Sequence, residues 1–230
     1  MGFGENLQFL RKMRNKMTQE ELAEKMGVSR QTISKWELNQ VYPEMNKMVE
    51  LCSMFSCTMD QLVREDMNIC DDAYSDIGMK ELEEFHYICY AVISREPEND
   101  ALTRVAQWAK DLKIEKPEII GWDFPFVSPE QVNVFHMHGY TAALILDANT
   151  IQDHKDLEVI CQKSQKYLTI TIRDPFKAPF QVIPNAYRVL HTHMHVNGMK
   201  VKEDKKVIGC FEKTYERDGM EFMDVYIAVE

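Results

Sequence analysis

The segment from Thr18 to Ser29 contains a pattern that lets two short helices cross at close range. Thr18 and Glu21 have the spacing of a capping box, which predicts that a helix begins at this point. Ala23 is small enough for a close crossing, and Gly27 supplies the positive φ that a tight turn requires. Ser29 is placed to cap the next helix. The pattern therefore predicts two helices joined by a tight turn.

A second helix held in this way leaves its first turn exposed, where it can enter the major groove of DNA. Glutamine pairs with adenine and arginine with guanine through two hydrogen bonds. Gln19 begins the preceding helix, where an amide and the helix dipole favour a phosphate. Arg30 and Lys35 have a second interpretation, contact with phosphate or water alone, and we expect Trp36 to belong to the core. The predicted DNA-binding residues are Gln19, Ser29, Arg30, Gln31, Thr32, Ser34 and Lys35.

Residues 5–65 resemble the Cro/cI-type helix-turn-helix family, also called the XRE family, over their whole length. The resemblance includes Trp36, Pro43 and the tail from Phe55 to Leu62. It implies an all-α domain of about five helices that binds double-stranded DNA, commonly as a homodimer on an inverted-repeat operator. The alternative is an ordinary helical hairpin without DNA binding.

Charge is distributed unevenly along the chain. Residues 1–65 hold nine basic and nine acidic groups, whereas residues 66–230 hold 18 basic and 28 acidic groups and carry the whole net charge of −10. An acidic body does not bind nucleic acid through bulk charge. DNA contacts are therefore expected from placed cations of the first segment, with these candidates: Arg11, Lys12, Arg14, Lys16, Arg30 and Lys35.

The sequence gives no sign of a signal segment or a membrane span. Apolar runs such as Tyr140 to Leu146 are far too short to cross a bilayer, and charged residues from Glu5 onward interrupt the N-terminus. No cysteine belongs to a Cys-x-x-Cys pair, which predicts reduced, buried thiols and a cytoplasmic protein. The six cysteines are Cys52, Cys57, Cys70, Cys89, Cys161 and Cys210.

We expect no metal, no cofactor and no catalytic residue. His191 and His195 have the i, i+4 spacing that can hold zinc, but no cysteine or carboxylate at ligand spacing accompanies them. Exposed or hydrogen-bonded histidines are the preferred interpretation.

Residues 66–80 are polar and acidic and are interpreted as a linker. Beyond them the pattern changes to strands and helices in the order strand–helix–strand–strand, repeated about twice. This predicts a duplicated α+β unit with an antiparallel sheet, closed by a hairpin at Asp218 and Gly219. The predicted strands are 85–94, 140–146, 167–172, 207–215 and 221–229, and the predicted helices are 98–112 and 185–196.

Residues 81–230 resemble the gyrase-inhibitor-like (GyrI-like) effector-binding domains. The matching motifs are a Gly-Trp-Asp segment at 121–123, interpreted as a loop that runs to Pro125, then Gly139-Tyr140 and Phe211-Glu212. The resemblance implies that Glu212 faces an apolar, aromatic pocket between the two repeats, where a cationic ligand would pair with it. The implied ligand-binding residues are Glu212, Trp122, Tyr140, Tyr215 and Tyr226.

Two positions depart from the GyrI-like pattern. Thr214 stands where an aromatic residue is common, and Tyr215 is expected to point to the opposite face of its strand. Ala228 stands where a proline is common. A solvated carboxylate at Glu212 and plain core packing of the aromatic residues remain the alternatives.

Together these patterns predict a multidomain protein with a helix-turn-helix domain at 1–65, a linker at 66–80 and a GyrI-like domain at 81–230. The predicted function is ligand-responsive transcription regulation by a DNA-bound homodimer with a small-molecule effector. One alternative is a repressor whose second domain only dimerises. The other is a hydrolytic enzyme with Glu212 as general base, which a second carboxylate, Cys or His beside Glu212 would favour.

Overall fold

A computed structural model describes residues 2–67, 73–75, 77–124, 126–204 and 206–230. Cys70 and Pro125, which the sequence analysis singled out, lie outside these residues. The N-terminal part is all α, as predicted, and three of its five helices begin at a side-chain cap, from Thr18, Ser29 and Thr58. The helices are α1 (Phe3–Met13), α2 (Gln19–Met26), α3 (Arg30–Glu37), α4 (Met45–Phe55) and α5 (Met59–Val63).

Gly4 and Asn6 fix the position of α1 in the helical domain. Gly4 lies so close to α3 that an added Cβ would be only 2.6 Å from the carbonyl oxygen of Trp36. The buried Asn6 donates to the carbonyl oxygens of Leu62 and Glu65, at 3.1 and 2.7 Å. The two ends of the helical segment are therefore tied together by one buried amide.

The rest of the described chain contains eight strands and four α-helices. Their bounds are β1 (Gly78–Leu82), β2 (Phe85–Ser94), α6 (Pro97–Asp111), β3 (Glu118–Asp123), α7 (Pro129–Asn133), β4 (His138–Leu146), α8 (Ala148–Asp153), β5 (Ile160–Gln162), β6 (Gln165–Arg173), α9 (Pro179–Asn197), β7 (Cys210–Arg217) and β8 (Met220–Ala228).

The strands form one antiparallel sheet in the order β1-β6-β8-β7-β3-β4-β2-β5. The order strand–helix–strand–strand occurs twice along the chain, as β2-α6-β3-β4 and as β6-α9-β7-β8, which confirms the predicted duplication. The two halves meet where β3 pairs with β7, at Gly121 and Glu212. The predicted turn at Asp218 and Gly219 joins β7 to β8, and both residues have positive φ.

The structure corrects some local predictions. Gly121, Trp122 and Asp123 end strand β3 and do not form a loop. Strand β1 begins at Gly78, inside the predicted linker. The short elements α7, α8 and β5 were not predicted, because three to six residues are too few to show a period.

The two faces of the sheet carry separate apolar clusters. Since neighbours along a strand point to opposite faces, Tyr140, Ala142 and Leu144 of β4 lie on the face that packs against α6. Ala143 belongs to the cluster on the other face, which is rich in aromatic rings and includes Phe211. Residues that line one pocket on this sheet must therefore all lie on the same face.

By its internal contacts the chain separates into two compact units. One unit comprises Met1–Tyr74 together with Phe176–Lys200, and so includes α9. The other comprises Ser75–Pro175 and Val201–Glu230, and so holds the whole sheet. The sequence-based boundaries at 65 and 80 stay a prediction, since α9 lies within 81–230 but packs with α1 and α4. No helix in the described part of the chain has the length and apolarity of a bilayer-spanning segment.

Candidate functional site

The turn between α2 and α3 has the geometry that the sequence predicted. Thr18 Oγ1 accepts from the backbone amide of Glu21 at 3.2 Å, and Glu21 Oε2 accepts from the amide of Thr18 at 2.6 Å. Gly27 ends α2 in the left-handed region, with φ of 64°. Ala23 is buried at the crossing. The capping box and the glycine therefore fix the direction in which α3 begins.

The first turn of α3 is open to solvent. Ser29 Oγ caps the helix by accepting from the amide of Thr32 at 3.1 Å. Arg30, Gln31 and Lys35 are exposed, whereas Thr32 and Ser34 are half-buried. Six of the seven predicted DNA-binding residues thus lie on one helix or its cap, where an exposed amide and a guanidinium stand next to each other in sequence.

Arg30 is engaged in an exposed ion pair. Its Nε lies 2.8 Å from Oε1 of Glu20 on α2, and both side chains are more than three-fifths exposed. Solvent-exposed pairs of this kind contribute little to stability and are readily exchanged for another anion. Arg30 is therefore available to a phosphate or a base at small cost.

Gln19 and Arg11 meet at a buried carboxylate. Arg11 binds Glu37 through Nε to Oε1 at 2.6 Å and Nη2 to Oε2 at 3.1 Å, and Gln19 Nε2 donates to the same Oε2 at 2.8 Å. This corrects the expectation that Arg11 contacts DNA, because its guanidinium is buried and paired with Glu37 inside the domain. Arg14 likewise donates to the carbonyl of Met54.

The core assignment of Trp36 is confirmed, since only 4% of its surface is exposed. Its position on the inner side of α3 leaves the opposite side of that helix for partners. Lys12 and Lys16, the other candidate cations of the first segment, are exposed.

In the sheet unit, Glu212 is paired with Tyr140 across the junction of the two halves. The phenol of Tyr140 donates to Glu212 Oε2 at 3.4 Å. Tyr140 reaches this carboxylate by lying over Gly121, whose absent side chain leaves the necessary room. Gly121 is in turn the residue that pairs with Glu212 in the sheet. The junction residue of β3 is thus a glycine because a tyrosine ring crosses it.

Further carboxylates influence the same tyrosine. The pKa of Tyr140 is raised above its ordinary value by burial first, and then by the negative charges of Glu212, Glu98 and Asp123. Burial and the charge of Asp123 raise the pKa of Glu98, and burial raises the pKa of Asp123 against an opposing effect of His138. The site therefore gathers acidic groups around a buried phenol, which is an environment that a cation would stabilise.

The other three predicted wall residues lie on the opposite face. Trp122 packs in the aromatic cluster with Tyr87, at 6.3 Å between ring centroids, and Tyr226 stacks on Phe211 at 4.4 Å. Tyr215 points away from Glu212, as expected. The sheet therefore does not bring the five predicted ligand-binding residues into one pocket, because strand alternation separates Glu212 and Tyr140 from the rest.

The aromatic face has its own buried charge, which sequence reasoning missed. Asp224 binds Lys80 Nζ at 2.8 Å and accepts from Thr171 at 2.5 Å, Tyr226 at 3.1 Å and Tyr215 at 3.3 Å. Burial acts to raise the pKa of Asp224, but the hydrogen bonds from Lys80 and Thr171 outweigh it and lower that pKa. The negative charge of Asp224 is therefore already balanced by the ammonium group of Lys80.

A cavity of about 540 Å³ opens beside α6 and β2. Its apolar wall includes Ile88, Trp108 and Leu157, and its acidic groups are Asp111, Asp156 and Glu158. This volume suits a small organic ligand, and the acids favour a cationic one. No sequence signal pointed to it, because its lining comes from separate elements.

The described cysteines are less buried than expected, whereas His191 and His195 are exposed, as expected. Cys57 and Cys89 are free thiols but half-buried, and burial raises the pKa of Cys57 to about 12. Burial, followed by the charge of His195, lowers the pKa of His191. Neither of these two histidines belongs to a group of three metal donors in the described part of the chain.

Comparison with known proteins identifies the N-terminal segment. Residues 7–62 match the helix-turn-helix family model, so this segment is a helix-turn-helix domain. The HTH-type transcriptional activator BcrR of Enterococcus faecalis is 48% identical over 63 residues, which cover 27% of this chain. The match spans only 30% of the length of BcrR.

Solved structures with a similar course of the chain have low sequence identity. SAV2435 bound to tetraphenylphosphonium is 15% identical with a TM-score of 0.45, over 68% of this chain and 94% of that one. EcmrR in its cryo-EM complex with DNA is 12% identical with a TM-score of 0.46, over 93% of this chain and 85% of that one.

Proposed function

We propose that this chain is a cytoplasmic, DNA-binding transcription regulator whose sheet unit binds a small-molecule effector. The observation that carries the DNA-binding part is the exposed first turn of α3, with Arg30 and Gln31 on a helix that is capped, buried on its inner side and crossed by α2. A rigid helix with such a turn is the element that enters the major groove in helix-turn-helix proteins.

The residues of this surface divide into two roles. Gln31 contacts base edges, with Arg30, Thr32, Ser34 and Lys35 next to it on the same helix. Gln19 and the N-terminus of α2 hold a phosphate and set the orientation of the domain, and the bond from Gln19 to Glu37 fixes the amide for that contact. Arg30 exchanges its exposed pair with Glu20 for a DNA anion.

Selection of bound sequences from a random DNA pool, followed by titration of the selected site, tests this assignment. Gln31→Ala is expected to cost about 1–3 kcal/mol at the selected site and to relax one base position. Gln19→Ala is expected to weaken all sequences alike. An unchanged preference after combined substitution of Arg30, Gln31, Thr32 and Ser34 would refute base contact by α3.

We also propose that the protein acts as a homodimer on an inverted-repeat operator. One helix-turn-helix domain buries too little surface for tight specific binding, and a dimer doubles the contact with a matching two-fold symmetry. Light scattering of the free protein and of its operator complex measures the stoichiometry. One protomer per operator in both samples would rule the dimer out.

For the effector, we propose an apolar or aromatic molecule, more favourably cationic than anionic, that faces Glu212. The support is the gathering of Glu98, Asp123 and Glu212 around Tyr140 and the acidic balance of residues 66–230. On this face Tyr140 is the aromatic contact. Trp122, Tyr215 and Tyr226 lie on the opposite face of the sheet and would not contact a ligand bound there.

Helix α9 offers a route from effector to DNA. Along the chain it connects β6 to β7, the strand that carries Glu212. It also packs on α1 and α4, and Asn197 donates to the carbonyl of Met13 at 3.0 Å. We propose that a ligand bound next to β7 acts on the DNA-binding unit through α9, which precedes β7 along the chain. Weakened ligand control of DNA binding in Asn197→Ala, with ligand affinity retained, is the expected signature.

A second candidate function is hydrolysis, with Glu212 as general base. The observation that favours it is the electrostatic coupling of Glu98 and Asp123 to the same tyrosine, since paired carboxylates serve acid and base roles. Turnover of ester substrates that vanishes in Glu212→Gln while DNA control persists would support this function. Effector-dependent release or tightening of DNA without turnover supports regulation.

A further inference from the structure

We propose that Glu84, His86 and Cys161 form a binding site for a divalent transition-metal ion of the zinc class. Each residue offers one ligand atom, and the three atoms all lie within 4.8 Å of one another. The site belongs to the sheet unit and shares no residue with the Glu212 site. It goes beyond the effector proposal and does not depend on it.

The fold itself brings these donors together. His86 on β2 lies directly opposite Cys161 on β5 in the antiparallel ladder, so their side chains project side by side from the same face. Glu84 precedes β2 in the connection from β1, next to the same strand end. Two of the three donors are thus fixed by backbone pairing.

The chemistry of the three donors suits zinc. A thiolate, an imidazole and a carboxylate are the ligand types that Zn²⁺ prefers, with bonds of about 2.0–2.3 Å. A tetrahedral ion at these bond lengths needs ligand atoms roughly 3.3–3.8 Å apart, so closure from 4.8 Å requires only small side-chain rotations. Three protein ligands leave a fourth position for water or a further ligand. Hard ions such as Mg²⁺ and Ca²⁺ would not favour the sulfur.

Lys163 is the built-in competitor of the metal. Its Nζ lies 2.6 Å from Oε2 of Glu84, with side chains 63% and 45% exposed. Because an exposed pair contributes little, a metal displaces the ammonium at small cost. Binding also releases the thiol proton and is therefore stronger at higher pH.

Titration of the reduced full-length protein with Co²⁺ tests the site, because cobalt reports its ligands by absorption. We expect one equivalent of cobalt, a thiolate-to-cobalt charge-transfer band in the near ultraviolet, visible bands of tetrahedral strength, and displacement by Zn²⁺. Cys161→Ser should abolish the charge-transfer band. His86→Gln and Glu84→Gln should each weaken binding by about tenfold or more, since loss of even an indirect partner costs that much.

Two variants serve as matched controls. Cys89→Ser removes a half-buried thiol from the strand that carries His86 and should leave the cobalt spectrum and affinity unchanged. Lys163→Gln removes the competing ammonium and should tighten binding several-fold. The melting temperature of each variant without metal shows that it folds, and Zn²⁺ should raise it in the wild type but not in Cys161→Ser.

Three results would overturn the site. The first is a charge-transfer band that survives Cys161→Ser or disappears in Cys89→Ser. The second is one equivalent of cobalt bound without any thiolate band. The third is no binding in a folded wild-type protein at micromolar cobalt. Rapid alkylation of Cys161 in that sample would then show that Cys161 is a reactive thiol and not a metal ligand.

Discussion

The ring of Tyr140 lies across Gly121, and its phenol oxygen donates to the carboxylate of Glu212 with 3.4 Å between Oη and Oε2. A Cβ added at Gly121 would lie 2.6 Å from Cζ of that ring. Glycine is therefore required at position 121 because the ring of Tyr140 occupies the space of a side chain, and not because of the backbone conformation of Gly121. This hydrogen bond joins a predicted aromatic wall residue directly to the predicted charged residue.

Gly121→Ala is expected to destabilise the sheet unit by about 1–3 kcal/mol, the usual cost of overpacking a close contact. Urea unfolding measures the change. Gly209→Ala is the matched control, because no atom lies within 4 Å of a Cβ at that position. In a double-mutant cycle, Gly121→Ala and Tyr140→Leu should couple, since the smaller side chain removes the clash. Simple additivity of the two changes would contradict the contact.

Glu37→Gln is expected to destabilise the helix-turn-helix domain by about 3–5 kcal/mol, because it leaves the buried guanidinium of Arg11 without its counter-charge. Loss of helical circular dichroism on urea addition follows this domain. Glu20→Gln breaks the exposed pair with Arg30 instead and should change stability little. Equal effects of the two substitutions would show that the Arg11 pair is not desolvated.

Stability of the first unit should fall as the pH is lowered below about 6.5, the ordinary pKa of histidine. Burial lowers the pKa of His193, against a smaller opposing effect of its bond to the Met13 backbone. Between the two pKa values the unfolded chain binds a proton that the folded chain does not, so the free energy of unfolding decreases as pH decreases in that window. Above about pH 6.5 both states are neutral and the effect is absent.

Urea midpoints measured from pH 5 to pH 8 check this dependence. His193→Gln should reduce the slope of the profile in the acidic range, since glutamine carries no titrating group, and His191→Gln in addition should reduce it further, because burial lowers the pKa of His191 as well. His136→Gln replaces an exposed histidine of the sheet unit and should leave the profile of the helical signal unchanged. A profile that keeps its slope in His193→Gln would assign the proton to another group.

How much could be predicted from sequence depends on how far apart the interacting residues lie. Thr18, Glu21 and Gly27 lie at the two ends of one eight-residue helix and act on the backbone next to them, so the course from α2 to α3 was predicted correctly. The burial of Arg11 was not, because its partner Glu37 lies on another helix and only the folded domain brings them together. A charged residue in an amphipathic helix gives no local sign of such a pair.

In the sheet, strand alternation allowed the orientation of Tyr215 to be predicted, but not the division of the whole site. Trp122 was interpreted as part of a loop, where alternation does not apply, and as a strand residue it faces away from Glu212. Lys80 and Asp224 were missed for a different reason. Their pairing depends on β1, a five-residue edge strand whose polar sequence looked like a linker.

Glu212→Gln is expected to weaken a cationic ligand selectively. Methyltriphenylphosphonium and triphenylphosphine oxide have nearly the same shape, but only the first carries a charge. If the carboxylate pairs with the cation away from water, the substitution costs about 2–5 kcal/mol for the phosphonium. The oxide should be nearly unaffected, because glutamine keeps the shape of the side chain. Calorimetry of both ligands against the wild type and the variant measures the difference.

Glu216→Gln is the matched control for this experiment. Glu216 lies on the same strand and the same face as Glu212 but is exposed, so its charge acts only through solvent and is screened by salt within about 8–10 Å. Its removal should therefore change neither ligand at physiological salt. Equal losses for both ligands in Glu212→Gln, or none, would exclude Glu212 as the group that recognises charge. A loss for the phosphonium in Asp156→Gln or Glu158→Gln would then assign the cation to the cavity beside α6.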